Sequence, residues 1–254
     1  RNGKSGILLR MGVGPSTMDI WDLKSGAPTG GPFKPIATSG DVQISEHMPL
    51  MSKQMHNMAI IRSMSTREAD HMRGRYYMHT GYVPNPSIEH PSYGSVLSHQ
   101  LRRQSLDIPQ FISVGGGSMG AGFLGAKYNP FAVNSDGRIR NLNMKIDERF
   151  YQRAYALDAI ETNFINQRRG SLAKEHQSIL KETFGVLTSS QMDALKIAGE
   201  PENVKDRYGD NNFGKGCLMA RRLVEAGVPF IEVNLGGWDN HQNIFPTLRD
   251  NKLP

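Results

Sequence analysis

The chain has 254 residues, of which 38% are hydrophobic, so it is long enough and apolar enough for one large domain around a single core. No segment approaches the roughly 18 consecutive apolar residues of a membrane helix, so the sequence predicts no membrane span. The formal net charge is +6, but no basic run is interleaved with aromatic residues, which disfavours nucleic acid as a partner. A solvated basic surface and attraction of an anionic substrate both account for this charge.

Apolar runs followed by glycine-rich loops predict buried strands at 6–11, 58–62 and 110–114 in the first half of the chain and at 228–235 near its end. Between them, helical periodicity predicts helices, including one over 70–80 that ends at Gly81. Because strands alternate with helices, we expect an α/β fold with a mostly parallel sheet flanked by helices.

Helical patterns dominate the second half of the chain, with helices predicted at 171–184, 190–198 and 213–226. We expect residues 1–254 to form a single α/β domain, with a helical subdomain at about 145–226. Cys217 is the single cysteine, which excludes an intrachain disulfide. It lies in an apolar helical stretch, so we predict a buried, unreactive thiol.

In parallel sheets, ligands bind beyond the carboxyl ends of the strands, so functional residues are expected in the loops at 12–22, 63–72, 115–125 and 236–243. Asp239 and His241 follow the clearest strand directly, after a pair of glycines. A carboxylate and an imidazole on a strand-end loop suit a divalent metal ion. The alternative is that Asp239 caps the next helix and that His241 is a surface histidine.

A second group of polar residues begins the predicted helix over 70–80. Asp70 and His71 lie at its start, and Arg73 and Arg75 follow within the first turns. The amino terminus of a helix favours anions, and arginines add charged donors to an oxyanion, so Arg73 and Arg75 are candidate substrate-binding residues. In the alternative reading, Asp70 caps the helix and the arginines belong to a solvated polar face.

The loop after the first strand carries Ser16, Asp19 and Asp22. Ser16 is a candidate nucleophile, a donor to a phosphate group, or a cap for the turn. Asp19 and Asp22 are either metal ligands or helix caps. A serine without an evident paired base is weak evidence for covalent catalysis, so these alternatives stay open.

Read together, these residues resemble a bacterial family known as the domain-of-unknown-function 1501 proteins. The matches run in order along nearly the whole chain, at 14–19, 21–24, 33–36, 44–49, 61–64, 70–71, 80–81, 120–124, 129–131, 208–209, 220–228 and 237–241. The resemblance implies a core like that of the alkaline phosphatases and sulfatases, which cleave phosphate or sulfate esters with divalent metals. It also implies export, because such proteins usually carry a twin-arginine-type leader.

The chain departs from that pattern in two ways. Where sulfatases place a nucleophilic cysteine, counting back from Gly81 reaches a position near His71, so the usual nucleophile is not evident. Later motifs of the family, Glu-Phe-Gly-Arg and Gly-Arg-Asp-His, are expected beyond Pro254, so the resemblance predicts a fold and a metal site that are incomplete at this end.

Two hypotheses follow. In the first, the protein is an exported hydrolase of phosphate or sulfate esters that uses zinc, calcium or magnesium. Its expected metal ligands are Asp239, His241, Asp19 and Asp70, and its expected catalytic residues are Ser16 and His71. Asp19, Asp70 and His71 stay open as either further ligands or acid/base groups, and Ser16 as either a nucleophile or a donor to an oxyanion. In the second, it is a non-catalytic descendant of the fold that binds anionic or sulfated glycans or organises an envelope complex.

Overall fold

A computed structural model describes residues 3–139, 147–166, 177, 185–186 and 189–253. The chain divides into two compact units, a first unit of Arg1–Arg10 and His79–Leu235 and a second unit of Met11–Met78 and Gly236–Pro254. The helix predicted over 171–184 lies almost entirely outside the described residues. None of the helices in the described part of the chain is both long enough and apolar enough to cross a membrane.

The described strands are β1 (Gly6–Met11), β2 (Pro35–Ile36), β3 (Ile44–Ser45), β4 (Phe111–Val114), β5 (Phe131–Val133) and β6 (Phe230–Leu235). Four of them form a sheet in the order β1–β6–β4–β5, in which β4 runs parallel to both of its neighbours. The fold is therefore α/β with a mostly parallel sheet flanked by helices, as predicted. Strands β2 and β3 form a separate antiparallel pair.

One strand prediction is wrong, because residues 58–62 form no strand. Ile61 is 70% exposed, and the Arg62 guanidinium donates to the backbone oxygens of Trp21 and Gln43 instead of lying in a ladder. The apolar run thus lacks the neighbouring strand that would bury it. The short strand β5 was not predicted, since it lies in a segment whose glycines and prolines indicated only a long loop.

The described helices are α1 (Thr17–Ile20), α2 (Pro49–Ser52), α3 (His71–Thr80), α4 (Tyr93–Gln100), α5 (Glu148–Asn166), α6 (Glu202–Tyr208), α7 (Asn212–Glu225) and α8 (Ile244–Thr247). Helix α3 ends before Gly81, whose φ of +77° is the left-handed conformation expected of a terminating glycine. Short 3₁₀ turns at Ser190–Leu195 and Ile197–Gly199 replace the helix predicted at 190–198.

One face of the four-stranded sheet packs against α7. Asn211 caps this helix by accepting a hydrogen bond from the Gly214 amide at 2.8 Å. Alternate residues of β4 and β6 form a continuous apolar core with the buried face of α7, comprising Ile112, Val114, Ile231, Val233, Met219 and Leu223. Each fully buried aliphatic side chain contributes about 1.5–3 kcal/mol. Gly216 allows close approach, because a Cβ there would lie 2.8 Å from Val233 Cγ1.

Helix α4 packs near the amino-terminal ends of β4 and β6, on the opposite face. The rings of Phe111 and Phe230 meet edge to face there, with centroids 5.4 Å apart. Gly94 of α4 lies directly on Phe111, and a Cβ at this glycine would be 2.4 Å from the ring. The first unit therefore has helices on both faces of its sheet.

The second unit has its own buried side chains, which include Ile20, Ile44, Met48, Met55 and Leu248. The ring of Phe33 packs edge to face against two others, with its centroid 4.4 Å from that of His47 and 5.6 Å from that of Phe245. The carboxylate of Glu46 accepts from the Lys34 amide beside the β2–β3 pair. Within this unit lie the candidate site residues that follow β1 and β6 in the sequence.

Candidate metal centre

The loop after β6 is held by a buried tryptophan. Trp238 is 2% exposed, and its carbonyl oxygen accepts from Asn240 Nδ2 at 3.0 Å. Lys252 Nζ lies 5.7 Å from the Trp238 ring centroid and donates to the Gly236 oxygen at 2.8 Å. Gly237, with a φ of +77°, makes the turn into this arrangement. Burial of the indole thereby positions the residues that come directly after it.

Asp239, His241 and His71 meet at the end of this loop. Oδ2 of Asp239 lies 2.9 Å from Nε2 of His71 and 3.0 Å from Nε2 of His241. Among the described residues, these three each place one ligand atom so that all three atoms lie within 4.8 Å of one another. The first residue of α3 thus joins the Asp-x-His pair predicted from the sequence.

The carboxylate of Asp239 lies in an environment that favours its charge. The hydrogen bond from His241 holds the pKa of Asp239 below its ordinary value, and His71 acts in the same direction. The two imidazoles are largely open to solvent, with side chains 59% exposed at His71 and 82% exposed at His241. The cluster is therefore accessible to ions from solution.

The donor set fits a metal ion. A tetrahedral ion with ligands at 2.0–2.2 Å holds its ligand atoms roughly 3.3 Å apart. The separations at Asp239 Oδ2 are 2.9 and 3.0 Å, a few tenths of an ångström shorter than this, and all three ligand atoms lie within 4.8 Å of one another. Exposed side chains can make such an adjustment. Without an ion, the same contacts are hydrogen bonds between the carboxylate and the imidazoles.

Asp70 and the arginines of α3 have partners of their own. Oδ1 of Asp70 accepts from the backbone amides of Met72 and Arg73, each at 3.0 Å, which is the geometry of a helix cap. The Arg73 guanidinium binds both carboxylate oxygens of Glu68, at 2.6 and 3.0 Å. This pairing raises the pKa of Arg73. Arg75 is half-buried on the same helix.

Ser16 and Asp19 form a pair at the start of α1. Ser16 Oγ donates to Asp19 Oδ2 at 2.5 Å, and Asp19 is only 6% exposed. The backbone of Gly31 packs closely on this carboxylate, since a Cβ there would lie 2.2 Å from Asp19 Oδ1. Asp19 is therefore a candidate base that is hydrogen-bonded to the Ser16 hydroxyl, a pairing that the sequence did not indicate.

The loop that carries Ser16 also approaches Asp239. A Cβ at Gly14, whose φ is +70°, would lie 3.6 Å from Asp239 Oδ1. Ser16 is two residues further on, and successive Cα atoms are about 3.8 Å apart, so its Cα lies within about 8 Å of that of Gly14. The loops that carry Ser16, His71 and Asp239 therefore converge within the second unit. Asp22 forms ion pairs with Lys24 at 2.7 Å and with Arg62 at 3.7 Å.

The structure thus sorts the predicted site residues into three groups. His71, Asp239 and His241 form the candidate metal centre, and the sequence leaves His71 open as either a ligand or an acid/base group. Ser16 and Asp19 form a hydrogen-bonded pair, while Asp70 caps α3. Their assignments as metal ligands or catalytic residues stay predictions.

The model of the family described as "Protein of unknown function (DUF1501)" matches residues 3–252 of the chain. The chain therefore belongs to the DUF1501 family. No curated protein and no solved structure matches it.

Proposed function

We propose that His71, Asp239 and His241 bind a divalent metal ion and that the protein is a metal-dependent hydrolase of phosphate or sulfate esters. The observation that carries this proposal is the placement of three potential ligand atoms within 4.8 Å of one another. The resemblance to alkaline phosphatases and sulfatases supports the same reaction class and an architecture like theirs. Export to the periplasm or beyond is part of this proposal.

The ligand chemistry favours zinc over calcium or magnesium. Imidazole nitrogens suit zinc, whereas calcium and magnesium prefer oxygen ligands. Two imidazoles and one carboxylate are the three protein ligands typical of catalytic zinc, which leave a coordination position for water or substrate. The bound ion would supply Lewis acidity to an ester oxygen or lower the pKa of a bound water.

Ser16 and Asp19 provide the other elements of the reaction. The Ser16 hydroxyl is the candidate nucleophile, and the buried Asp19 carboxylate, already its hydrogen-bond acceptor, is positioned to take its proton. The new bond joins Ser16 Oγ to phosphorus or sulfur while the bond to the leaving alcohol breaks. Arg73 and Arg75 of α3 are the candidates for substrate binding, and the Arg73 guanidinium is also paired with Glu68.

One observation favours the alternative, a non-catalytic protein that binds anionic glycans. The guanidinium of Arg73 is committed to Glu68, so one of the two predicted oxyanion donors is already neutralised. A metal ion held by exposed side chains also suits the capture of a sulfated or phosphorylated glycan without hydrolysis.

Metal content and hydrolysis test the two parts of the proposal separately. The purified protein, saturated with zinc and dialysed, should retain about one zinc per chain by elemental analysis. His71→Ala, Asp239→Ala and His241→Ala should each weaken zinc binding at least about tenfold. His56→Ala is the matched control, because His56 lies in the same unit but bonds to Ser39.

Hydrolysis is then measured with p-nitrophenyl phosphate and p-nitrocatechol sulfate. Ser16→Ala should abolish turnover while leaving zinc content unchanged. If the wild-type protein retains no zinc, or if the three variants retain as much as wild type, the metal centre is refuted. Zinc retention with neither ester hydrolysed refutes the hydrolase and supports the glycan-binding alternative.

A further inference from the structure

The face of the sheet that carries α4 changes from apolar to polar along its strands. Strands β4 and β6 pair in parallel, with Ser113 opposite Glu232. Because alternate residues face opposite sides of a sheet, Ser113, Glu232 and Asn234 share a face with the paired rings of Phe111 and Phe230. The carboxyl ends of β4 and β6 in the first unit therefore carry polar groups where a core would carry apolar ones.

Glu232 lies at the centre of this polar group. It is 1% exposed, and its Oε1 lies 3.2 Å from Nε2 of His79, while its Oε2 accepts from Ser118 Oγ at 2.6 Å. Two residues further along β6, Asn234 Oδ1 accepts from the Arg10 guanidinium at 2.9 Å. The same guanidinium nitrogen donates to the Gly117 oxygen at 3.0 Å.

Two polar atoms in this group have no hydrogen-bond partner among the described residues, Ser113 Oγ and Asn234 Nδ2, although both are enclosed. The orientation of the Asn234 amide follows from chemistry, because a guanidinium only donates and must therefore face the amide oxygen. Its Nδ2 group is left with hydrogens to donate. Buried donors are nearly always paired in native proteins, so this nitrogen requires an acceptor.

A loop of three glycines lies beside Asn234. Gly115, Gly116 and Gly117 have φ values of +81°, +78° and +86°, a left-handed conformation that only glycine adopts at little cost. A Cβ at Gly117 would lie 3.5 Å from Asn234 Oδ1 and 3.2 Å from Arg10. Without side chains, the peptide groups of this loop are able to approach a ligand closely.

The position of the loop in the sheet also indicates a ligand. From β4 the chain goes to β5 on one side, and then to β6 on the other side of β4. In open parallel sheets, ligands bind beyond the carboxyl ends of the strands at such a reversal of strand order. The glycine loop leaves β4 at this point.

Arg10 supplies positive charge at this end of the sheet, directly beside Asn234. Burial acts to raise the pKa of Glu232, yet the hydrogen bonds from His79 and Ser118 and the charge of Arg10 hold that pKa below its ordinary value. The Glu232 carboxylate thus has donors of its own, whereas Asn234 Nδ2 has no acceptor among the described residues.

We infer that this end of the sheet is an oxyanion-binding site, at which Asn234 Nδ2 and the peptide N–H of Gly116 hold the phosphate or sulfate group of a small molecule beside Arg10. The amide of Gly115 already donates to the Val133 oxygen at 3.1 Å and so belongs to the sheet. Because Asn234 Nδ2 is enclosed, binding requires the exposed glycines Gly115 and Gly117 to shift so that the anion reaches it. The site is built from the first unit alone and is independent of the metal centre.

Calorimetric titration of the EDTA-treated protein with inorganic phosphate and with sulfate tests this inference. Asn234→Asp keeps the oxygen that Arg10 binds, but it replaces the donor with a negatively charged acceptor. Affinity for the anion should fall at least about tenfold in this variant, since a charge-assisted hydrogen bond is lost. Asn85→Asp is the control, because it adds the same charge while its side chain still accepts from Ser87.

Nuclear magnetic resonance of the wild-type protein provides a readout that does not depend on a variant folding. The side-chain amide signals of Asn234 should shift on addition of phosphate or sulfate, whereas those of Asn85 should not. The inference is overturned if neither anion binds, or if binding is equal in the Asn234 variant. It is also overturned if anion binding appears only when zinc is added and disappears in Asp239→Ala, because the anion is then held by the metal.

Discussion

Replacing His79 with alanine removes the imidazole that faces the carboxylate of Glu232 inside the first unit. The two groups lie 3.2 Å apart, and the exposed fractions of their residues are 4% and 1%. Ser118 remains as a hydrogen-bond donor to the same carboxylate. The variant therefore leaves a buried charge only partly compensated, while the backbone of α3 is unchanged.

The expected loss is large compared with the stability of a domain. A buried hydrogen bond to a charged group contributes about 1.5–3 kcal/mol, and whole domains are stable by about 5–15 kcal/mol. His79→Ala and Glu232→Ala should each lower the free energy of unfolding by about that first amount. The double variant should lose at least about 2 kcal/mol less than the sum, because it leaves no uncompensated partner.

Urea denaturation followed by circular dichroism measures these differences. His99→Ala is the control, since His99 lies on the exposed side of α4 and should change stability by about 0.5 kcal/mol or less. Folding lowers the pKa of Glu232 below its ordinary value of 4.5. The ionised carboxylate therefore stabilises the fold at pH values above 4.5, and this stabilisation is lost as the pH falls through the lower pKa of the folded state. Additive losses in the double variant, or a His79→Ala loss below about 1 kcal/mol, would refute the reasoning.

Three further predictions concern other parts of the chain. Gly94→Ala should lower stability by about 1 kcal/mol or more in thermal denaturation, since its Cβ would lie 2.4 Å from the Phe111 ring, whereas Gly199→Ala, with nothing within 4 Å, should not. Cys217, whose pKa burial raises to about 11, should react with Ellman's reagent at pH 8 only after denaturation, and fast reaction of the native protein would contradict this. Trp238→Ala should weaken zinc binding at least about tenfold by releasing the metal loop, and unchanged affinity would show that the loop keeps its conformation without the indole.

Local patterns in the sequence were sufficient for much of the sheet and for part of the site. The apolar runs at 6–11 and 228–235 are bounded by glycines and form strands of one sheet, as predicted. Gly81 ends α3 for the reason that a residue without Cβ adopts positive φ at little cost. Asp239 and His241 were found as a pair because two residues on one strand-end loop are neighbours whatever the rest of the chain does.

The tertiary structure decided what depends on partners distant in sequence. Residues 58–62 have the composition of a strand but lie exposed, because no strand pairs with them. His71 joins Asp239 across 168 positions, a proximity that no local spacing indicates. Likewise, the strand pattern of β6 predicted its burial but not that Glu232 would face His79. The spacing of apolar residues and the local composition determine which residues are able to form a strand or bind a metal. Long-range packing determines which of these residues come into contact.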